Sequence, residues 1–341
     1  MLNPIGSSKN LMLSNKYIFI CLILAFFSLS FKNDKESYLT IPTGFPAPII
    51  PMDNSLSEDR IKLGKKLFFD KILSRDSSIS CASCHQPKYA FSDGLKTPKG
   101  IKEREVLRNT PTLTNIGYNQ SFLRDGVNPS LEAQVLVPIH EKNEFDFHIL
   151  LVVERLKKRP DYNNLFQKAY NSIPTPNFVT KAIACYERTL ISGNSRFDQY
   201  YYQNSTCSLS KAELRGMDLF FNKLNCIQCH SGFNFSNGEV VNNGLYTEYK
   251  DIGKMRVSLS EKDNGCFKVP TLRNIEITGP YMHDGSINKL EEVIDHYSKG
   301  GNANKNRHEL IKPFDITKRE KNDLVSFLKS LTDSSFIEDY L

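Results

Sequence analysis

The 341-residue chain predicts a mainly α-helical protein made of two repeated domains. Convincing strand alternation is scarce, whereas apolar residues recur at helical spacing in several segments. Ser55-Leu56-Ser57, then Gly64 and Leu67-Phe68-Phe69, is echoed by Ser208-Leu209-Ser210, then Gly216 and Leu219-Phe220-Phe221. Further on, Pro111-Thr112-Leu113, Asn115-Ile116, Asp125-Gly126 and Leu131-Glu132 return as Pro270-Thr271-Leu272, Asn274-Ile275, Asp284-Gly285 and Leu290-Glu291, at a constant offset of 159. Identities held in register over so short a stretch mark a duplication, and the length suits two domains at roughly 150 residues each.

In chain order, the first 30 residues have the layout of a secretory signal. Lys9 and Lys16 precede the apolar run Tyr17 to Phe31, small residues stand near a cut after Ser30, and a polar stretch follows. The run is shorter than the 18 or more residues a spanning helix needs, which disfavours an uncleaved anchor. Lipidation at Cys21 is disfavoured by the bulky Ile20. The expected location is therefore the periplasm. Residues 31–46 read as a linker, 47–205 as an N-terminal domain and 206–335 as a C-terminal one.

Within the domains, Ser55 with Glu58 and Ser210 with Glu213 read as S-x-x-E capping boxes opening helices. The segments after each Leu-Glu pair, and Lys318 to Leu331, read as amphipathic helices.

Composition excludes other classes. A hydrophobic content of 40% argues against disorder, and a formal charge of +6 from 44 basic and 38 acidic residues is too mild for a nucleic-acid binder. Eight cysteines in so long a chain are no small disulfide scaffold, and tryptophan is absent.

Four of the cysteines lie in two C-x-x-C-H pentapeptides, Cys81-Ala82-Ser83-Cys84-His85 and Cys226-Ile227-Gln228-Cys229-His230. Two thiols reach the two vinyl groups of a haem while the adjacent imidazole becomes the proximal iron ligand. A zinc ribbon is disfavoured because its C-x-x-C pairs are usually separated by about 15 to 20 residues, far less than here. A redox dithiol is disfavoured by the lack of a βαβ pattern. Cys185, Cys207 and Cys266 allow at most one internal disulfide and read as small buried hydrophobes.

These two sites, each preceded by G-x-x-L-F-F, together with Arg108-Asn109-Thr110-Pro111-Thr112 and Tyr281-Met282-His283-Asp284-Gly285, resemble the bacterial dihaem cytochrome c peroxidase and MauG family from about Pro46 to Leu331. The resemblance implies two cytochrome-c-like domains with one covalent c-type haem each, the irons held by His85 and His230. It also implies a peroxidatic first haem and an electron-transfer second haem.

At the offset of 159, Pro138 corresponds to Tyr297. Proline has no side-chain donor atom and tyrosine has a phenolic oxygen, so the first haem is expected open and the second closed by Tyr297. Met282 and Met255 are the alternative ligands. Gln134, Pro138 and Glu144 match the distal glutamine, proline and catalytic glutamate of the family. Glu144 is expected to move a proton between peroxide oxygens. His283 is expected to support the second haem. The family's distal histidine has no counterpart in Lys96 to Leu107; His140 is a less favoured ligand, and His148, His296 and His308 default to surface roles. The resemblance further implies a calcium ion between the haems, held by the Asn109 side chain and the carbonyls of Thr278 and Pro280. Family members carry a tryptophan between the haems where this chain has Arg124, leaving Tyr118 or Tyr281 as the electron route.

The implied activity is reduction of hydrogen peroxide with electrons from a small cytochrome c or cupredoxin. The alternative is a MauG-like oxidase of a protein or organic substrate, storing oxidising equivalents on both haems. No nucleic-acid partner is expected, and a homodimer is compatible with the resemblance.

Overall fold

The computed structural model describes residues 38–340. The leader and Cys21 lie outside the described residues, as does the first part of the expected linker, 31–37. Among the described residues no helix is long and apolar enough to cross a membrane.

The first half contains α1 (Glu58–Phe69), the one-turn α2 (Cys81–Cys84), α3 (Leu131–His140), α4 (Ile149–Lys157), α5 (Pro160–Tyr170) and α6 (Pro176–Glu187). Then come α7 (Arg196–Tyr201), α8 (Lys211–Asp218) running into a π turn at Leu219–Lys223, and α9 (Met255–Ser258). The chain ends in α10 (Leu290–Ser298), α11 (Lys318–Lys329) and α12 (Ser334–Glu338). The regular strands are β1 (Val240–Val241) and β2 (Phe267–Lys268), paired antiparallel with Val240 opposite Lys268. The mainly helical expectation holds, including the helices after both Leu-Glu pairs and near the end.

The expected caps fare differently. Ser210 and Glu213 form a capping box at α8, whereas α1 is capped by Ser57, whose hydroxyl accepts from Arg60 N at 3.3 Å. Ser55 stands outside that helix and its hydroxyl accepts from the Arg60 guanidinium at 2.9 Å. The helix starts where a serine side chain can reach the third amide, and Ser57 can while Ser55 is two residues early.

Each half closes around one long helix pair, and a glycine sets the approach. A Cβ on Gly64 of α1 would lie 1.9 Å from Ala182 O of α6, and one on Gly216 of α8 would lie 2.0 Å from Asp323 O of α11. The first core gathers Leu63, Leu67, Phe68, Val152, Phe166, Ile183 and Tyr186; the second gathers Phe220, Phe235, Ile294, Leu324, Phe327 and Leu331. The chain crosses between them at two places. Phe197 of α7 packs in the second core, and Phe336 of α12 packs in the first. The α7 crossing is fixed by Arg273, whose guanidinium makes two bonds to Asp198, at 2.8 and 2.9 Å, with both side chains wholly buried.

The halves meet through reciprocal contacts that repeat the offset. Asn109 N donates to His283 O at 2.9 Å, and the equivalent Lys268 N donates to Arg124 O at 2.8 Å. The turns that carry Arg124 and His283 share a left-handed residue before each (Leu123 φ 67°, Met282 φ 77°) and a left-handed glycine after each (Gly126 and Gly285, φ 64°). Only glycine takes that conformation without cost, and there is no room for more, since a Cβ on Gly285 would meet Lys96 O at 2.3 Å.

Candidate functional site

Both C-x-x-C-H segments fold as a single helical turn closed by the histidine amide: His85 N donates to Cys81 O at 2.9 Å and His230 N to Cys226 O at 3.0 Å. Residues three and four apart then share a face, so two sulfurs and an imidazole project together. All four thiols are unpaired, and Cys81 packs against the first core while Cys226 packs against the second. Burial pushes the Cys84 thiol up to about 12 and that of Cys226 to about 11. That is opposite to the lowered pKa of a redox-active dithiol.

The imidazoles are oriented alike. His85 Nδ1 lies 2.8 Å from Phe91 O, and His230 Nδ1 lies 3.1 Å from Phe235 O. Both carbonyls are presented by residues in the left-handed region, Phe91 at φ 60° and Phe235 at φ 49°. A proton on Nδ1 directed at a carbonyl leaves the Nε2 lone pair for a metal. Burial lowers both histidine pKa values, against the pull of those same carbonyls, so the rings are neutral as ligation requires. The residues therefore fit a covalently held haem at each pentapeptide.

The distal sides differ. Gln134 and Pro138 lie one turn apart on α3, whose Leu131, Val135 and Ile139 face the core. Gln134 has no protein partner for its amide among the described residues. Glu144 follows α3 in a turn closed by Gly100, where a Cβ would lie 1.9 Å from Asn143 O. Its carboxylate is close enough to raise the pKa of both Cys81 and Cys84. Burial, reinforced by Glu141, pushes the Glu144 carboxyl up to about 7.

In the second half Tyr297 of α10 is buried near Cys229 and Cys226, and burial, reinforced by those two cysteines, raises its phenol pKa. Asn243 Nδ2 lies 3.4 Å from both the Tyr297 hydroxyl and Met282 Sδ, so both candidate ligands meet at one amide. Met255, in the short α9, has no such link.

The family match follows from these features. A family model described as di-haem cytochrome c peroxidase matches residues 58–206. The methylamine utilization protein MauG of Methylorubrum extorquens is 39% identical over 285 residues, covering 82% of this chain and 80% of that protein. The chain belongs to the di-haem cytochrome c peroxidase family. The cytochrome c551 peroxidase of Nitrosomonas europaea is 34% identical, with 84% of each chain covered. Among solved structures, a MauG-like protein associated with microbial copper homeostasis superposes with a TM-score of 0.81 at 33% identity, over 87% of this chain and 96% of that one. Membership makes the chain a peroxidase-type oxidoreductase, and the family's cofactors are two c-type haems.

Within this di-haem peroxidase frame the other expected residues fall as follows. His283 is buried and stacked on Phe267, with ring centroids 3.9 Å apart and planes 13° apart. His140 is exposed and its Nε2 accepts from Ile149 N at 3.2 Å, while His148 caps α4. His296 departs from the surface default: it is half-buried, with Nε2 3.1 Å from Asn243 O. Tyr118 packs edge-on against Phe233 with its hydroxyl unpartnered, and the Tyr281 hydroxyl donates to Ile275 O at 3.1 Å. Cys185 and Cys266 are buried as read, but Cys207 is exposed, and all three are unpaired.

Calcium does not fit the residues present. Asn109 Oδ1 already accepts a hydrogen bond from the Arg124 guanidinium, which also donates through Nε to Asn109 O at 3.1 Å. Among the described residues the carbonyls of Thr278 and Pro280 accept no hydrogen bond, so the side-chain oxygen is the one that is taken.

Two residues escaped the sequence reading. Asn243 sits in an Asn-Asn-Gly turn that looks like an ordinary loop. Glu187 ends α6, 5% exposed, with Oε2 unpartnered, burial pushing its carboxyl up to about 8 and its charge felt at Cys81. Only the fold brings either beside a haem-attachment turn.

Proposed function

We propose that the chain is an exported peroxidase that reduces hydrogen peroxide at a haem on His85, with electrons entering from a small cytochrome or cupredoxin through a haem on His230. Residues 47–205 and 206–335 then each carry one haem, and the leader-like first 30 residues support a periplasmic location. The observation that carries the reading is an asymmetry between the halves: a buried carboxyl lies toward the first pentapeptide and a tyrosine toward the second, with a proline at the first half's equivalent of that tyrosine.

The bound haem supplies an iron at which peroxide is held and its O–O bond broken. The chain's own residues govern access and protons. Pro138 presents no donor atom that competes with peroxide. The Gln134 amide is free to hydrogen-bond peroxide. Glu144 accepts the proton from one peroxide oxygen and returns it to the other, and a carboxyl poised near 7 does both at neutral pH. In the second half Tyr297 would hold the iron of the second haem, its hydroxyl accepting from Asn243 Nδ2.

Tyr297 also supports a second reading, a MauG-like oxidase of a protein or organic substrate, because a phenolate ligand favours the higher oxidation states of iron. Resting EPR of the ferric holoprotein tests the common ground: one high-spin and one low-spin signal are expected, and two low-spin signals refute the open first site. Donor-cytochrome turnover with peroxide then separates the readings. Rapid oxidation of donor supports the peroxidase; a long-lived two-electron-oxidised species with little donor turnover supports the oxidase.

A further inference from the structure

We infer that the Arg124 guanidinium takes the cation position at Asn109, beside the seam between the two halves, and that this chain binds no calcium there. Arg124 corresponds to His283 at the offset of 159, and Asn109 to Lys268. The backbone contacts between these pairs are reciprocal, but the side chains are not. In one direction Arg124 reaches back to Asn109, engaging both its main-chain and side-chain oxygens. Asn109 is 1% exposed, and its Nδ2 donates to Leu95 O at 2.9 Å, which fixes Oδ1 as the end turned to the guanidinium.

The surroundings are already supplied with positive charge. Lys268, in β2, directs Nζ to Ser121 O at 2.9 Å and is close enough for Arg124 to depress its pKa, with burial the larger cause. Arg108 stands on the other side, bonded to Asp125 at 2.8 Å and to Asp251 at 2.6 and 2.8 Å. The nearby acids have their own donors: Thr110 and Leu95 N on Asp93, Tyr246 and Ser286 N on Asp284. The guanidinium is thus the cation that faces Asn109 Oδ1. A divalent ion at Asn109 would share its one side-chain oxygen with a guanidinium and face three basic side chains. A hard cation seeks several oxygen ligands and no competing positive charge.

Arg124 is thus a positioning residue. It holds the Arg108-Asn109 segment, which reaches His283 O, and through its own carbonyl it holds β2 of the second half. Its planar fork presents two N–H groups at a fixed spacing to two oxygens of one residue.

The test uses the holoprotein with calcium itself as the probe. Elemental analysis after dialysis against calcium-free buffer and against calcium chloride is expected to show no stoichiometric calcium in the unaltered protein, and its Tm is expected to be the same in calcium chloride and in EGTA. Arg124→Ala uncovers Asn109 Oδ1 and is expected to gain calcium binding about tenfold or more tighter than the unaltered protein, seen as a calcium-dependent rise in Tm. Arg124→Gln, which keeps a neutral donor, serves if the alanine variant does not accumulate. One EGTA-removable calcium per chain in the unaltered protein overturns the inference. So does a calcium-free protein whose Arg124 variants also gain no calcium, because the guanidinium then stands in no cation position.

Discussion

The two halves share a scaffold down to hydrogen bonds and diverge where the distal sides begin. Each pentapeptide is one helical turn, each histidine is aimed by a carbonyl from a left-handed phenylalanine, and each long helix pair closes on a glycine. Yet the turn after α3 brings Glu144 toward Cys81 and Cys84, while α10 brings Tyr297 toward Cys226 and Cys229. Proximal geometry is therefore common property of the fold. What differs is carried by a few side chains: Pro138 against Tyr297, Arg124 against His283, Asn109 against Lys268. A duplicated domain can hold its packing and change its chemistry because these positions lie outside the two apolar cores.

The widest separation between the halves is expected on replacing Glu144. Glu144→Gln should lower peroxide turnover by about 10²- to 10⁴-fold, the usual worth of a positioned acid–base group, with the spectrum of the second haem unchanged. Equal turnover would remove Glu144 from the chemistry. The parent's pH dependence follows from the same group. Its deprotonated form takes the first proton, so turnover should rise with pH through about 7, and Glu144→Gln should lose that limb. The folded-state pKa lies above the ordinary carboxylate value, so the native state holds an extra proton in between. Its contribution to stability is present below the ordinary carboxylate range and is lost as pH rises to about 7.

Next in size is the crossing of α7 into the second half. Arg273→Met leaves Asp198 buried without its partner and should cost about 3–5 kcal/mol in denaturant unfolding of the holoprotein. Thr114 stands at the equivalent position of the first half, so no matching loss exists there.

Gly64→Ala and Gly216→Ala should each cost about 1–3 kcal/mol, from a methyl forced onto a carbonyl across a helix pair. Similar losses would support equivalent scaffolds; a loss in one half alone would break the equivalence. Smallest are the caps. Ser57→Ala and Ser210→Ala should each cost about 1 kcal/mol, with Ser210 the more damaging because its capping box also engages Glu213. Ser55→Ala should leave the helix cap intact.

Much of this was legible before any coordinates. The C-x-x-C-H spacing encodes its own geometry, because one helical turn is enough to bring two thiols and an imidazole onto a face. The register of the duplication located Pro138 against Tyr297 and Arg124 against His283 without a structure, since both depend on position along the chain. Even so, the first cap was misread by two residues, because several serines compete and only the backbone path selects Ser57.

Tertiary structure decided the rest. Cys207 is exposed, Phe197 and Phe336 trade cores, Asn243 gathers Tyr297 and Met282, and Glu187 lies buried beside Cys81. It also turned Arg124 from an oddity at an expected tryptophan position into the partner of Asn109 Oδ1. The physical reason is the range of the interactions. Haem attachment and capping are set by residues a few positions apart and the repeat register by position along the chain, whereas a buried charge is placed by groups that folding brings to it from other segments.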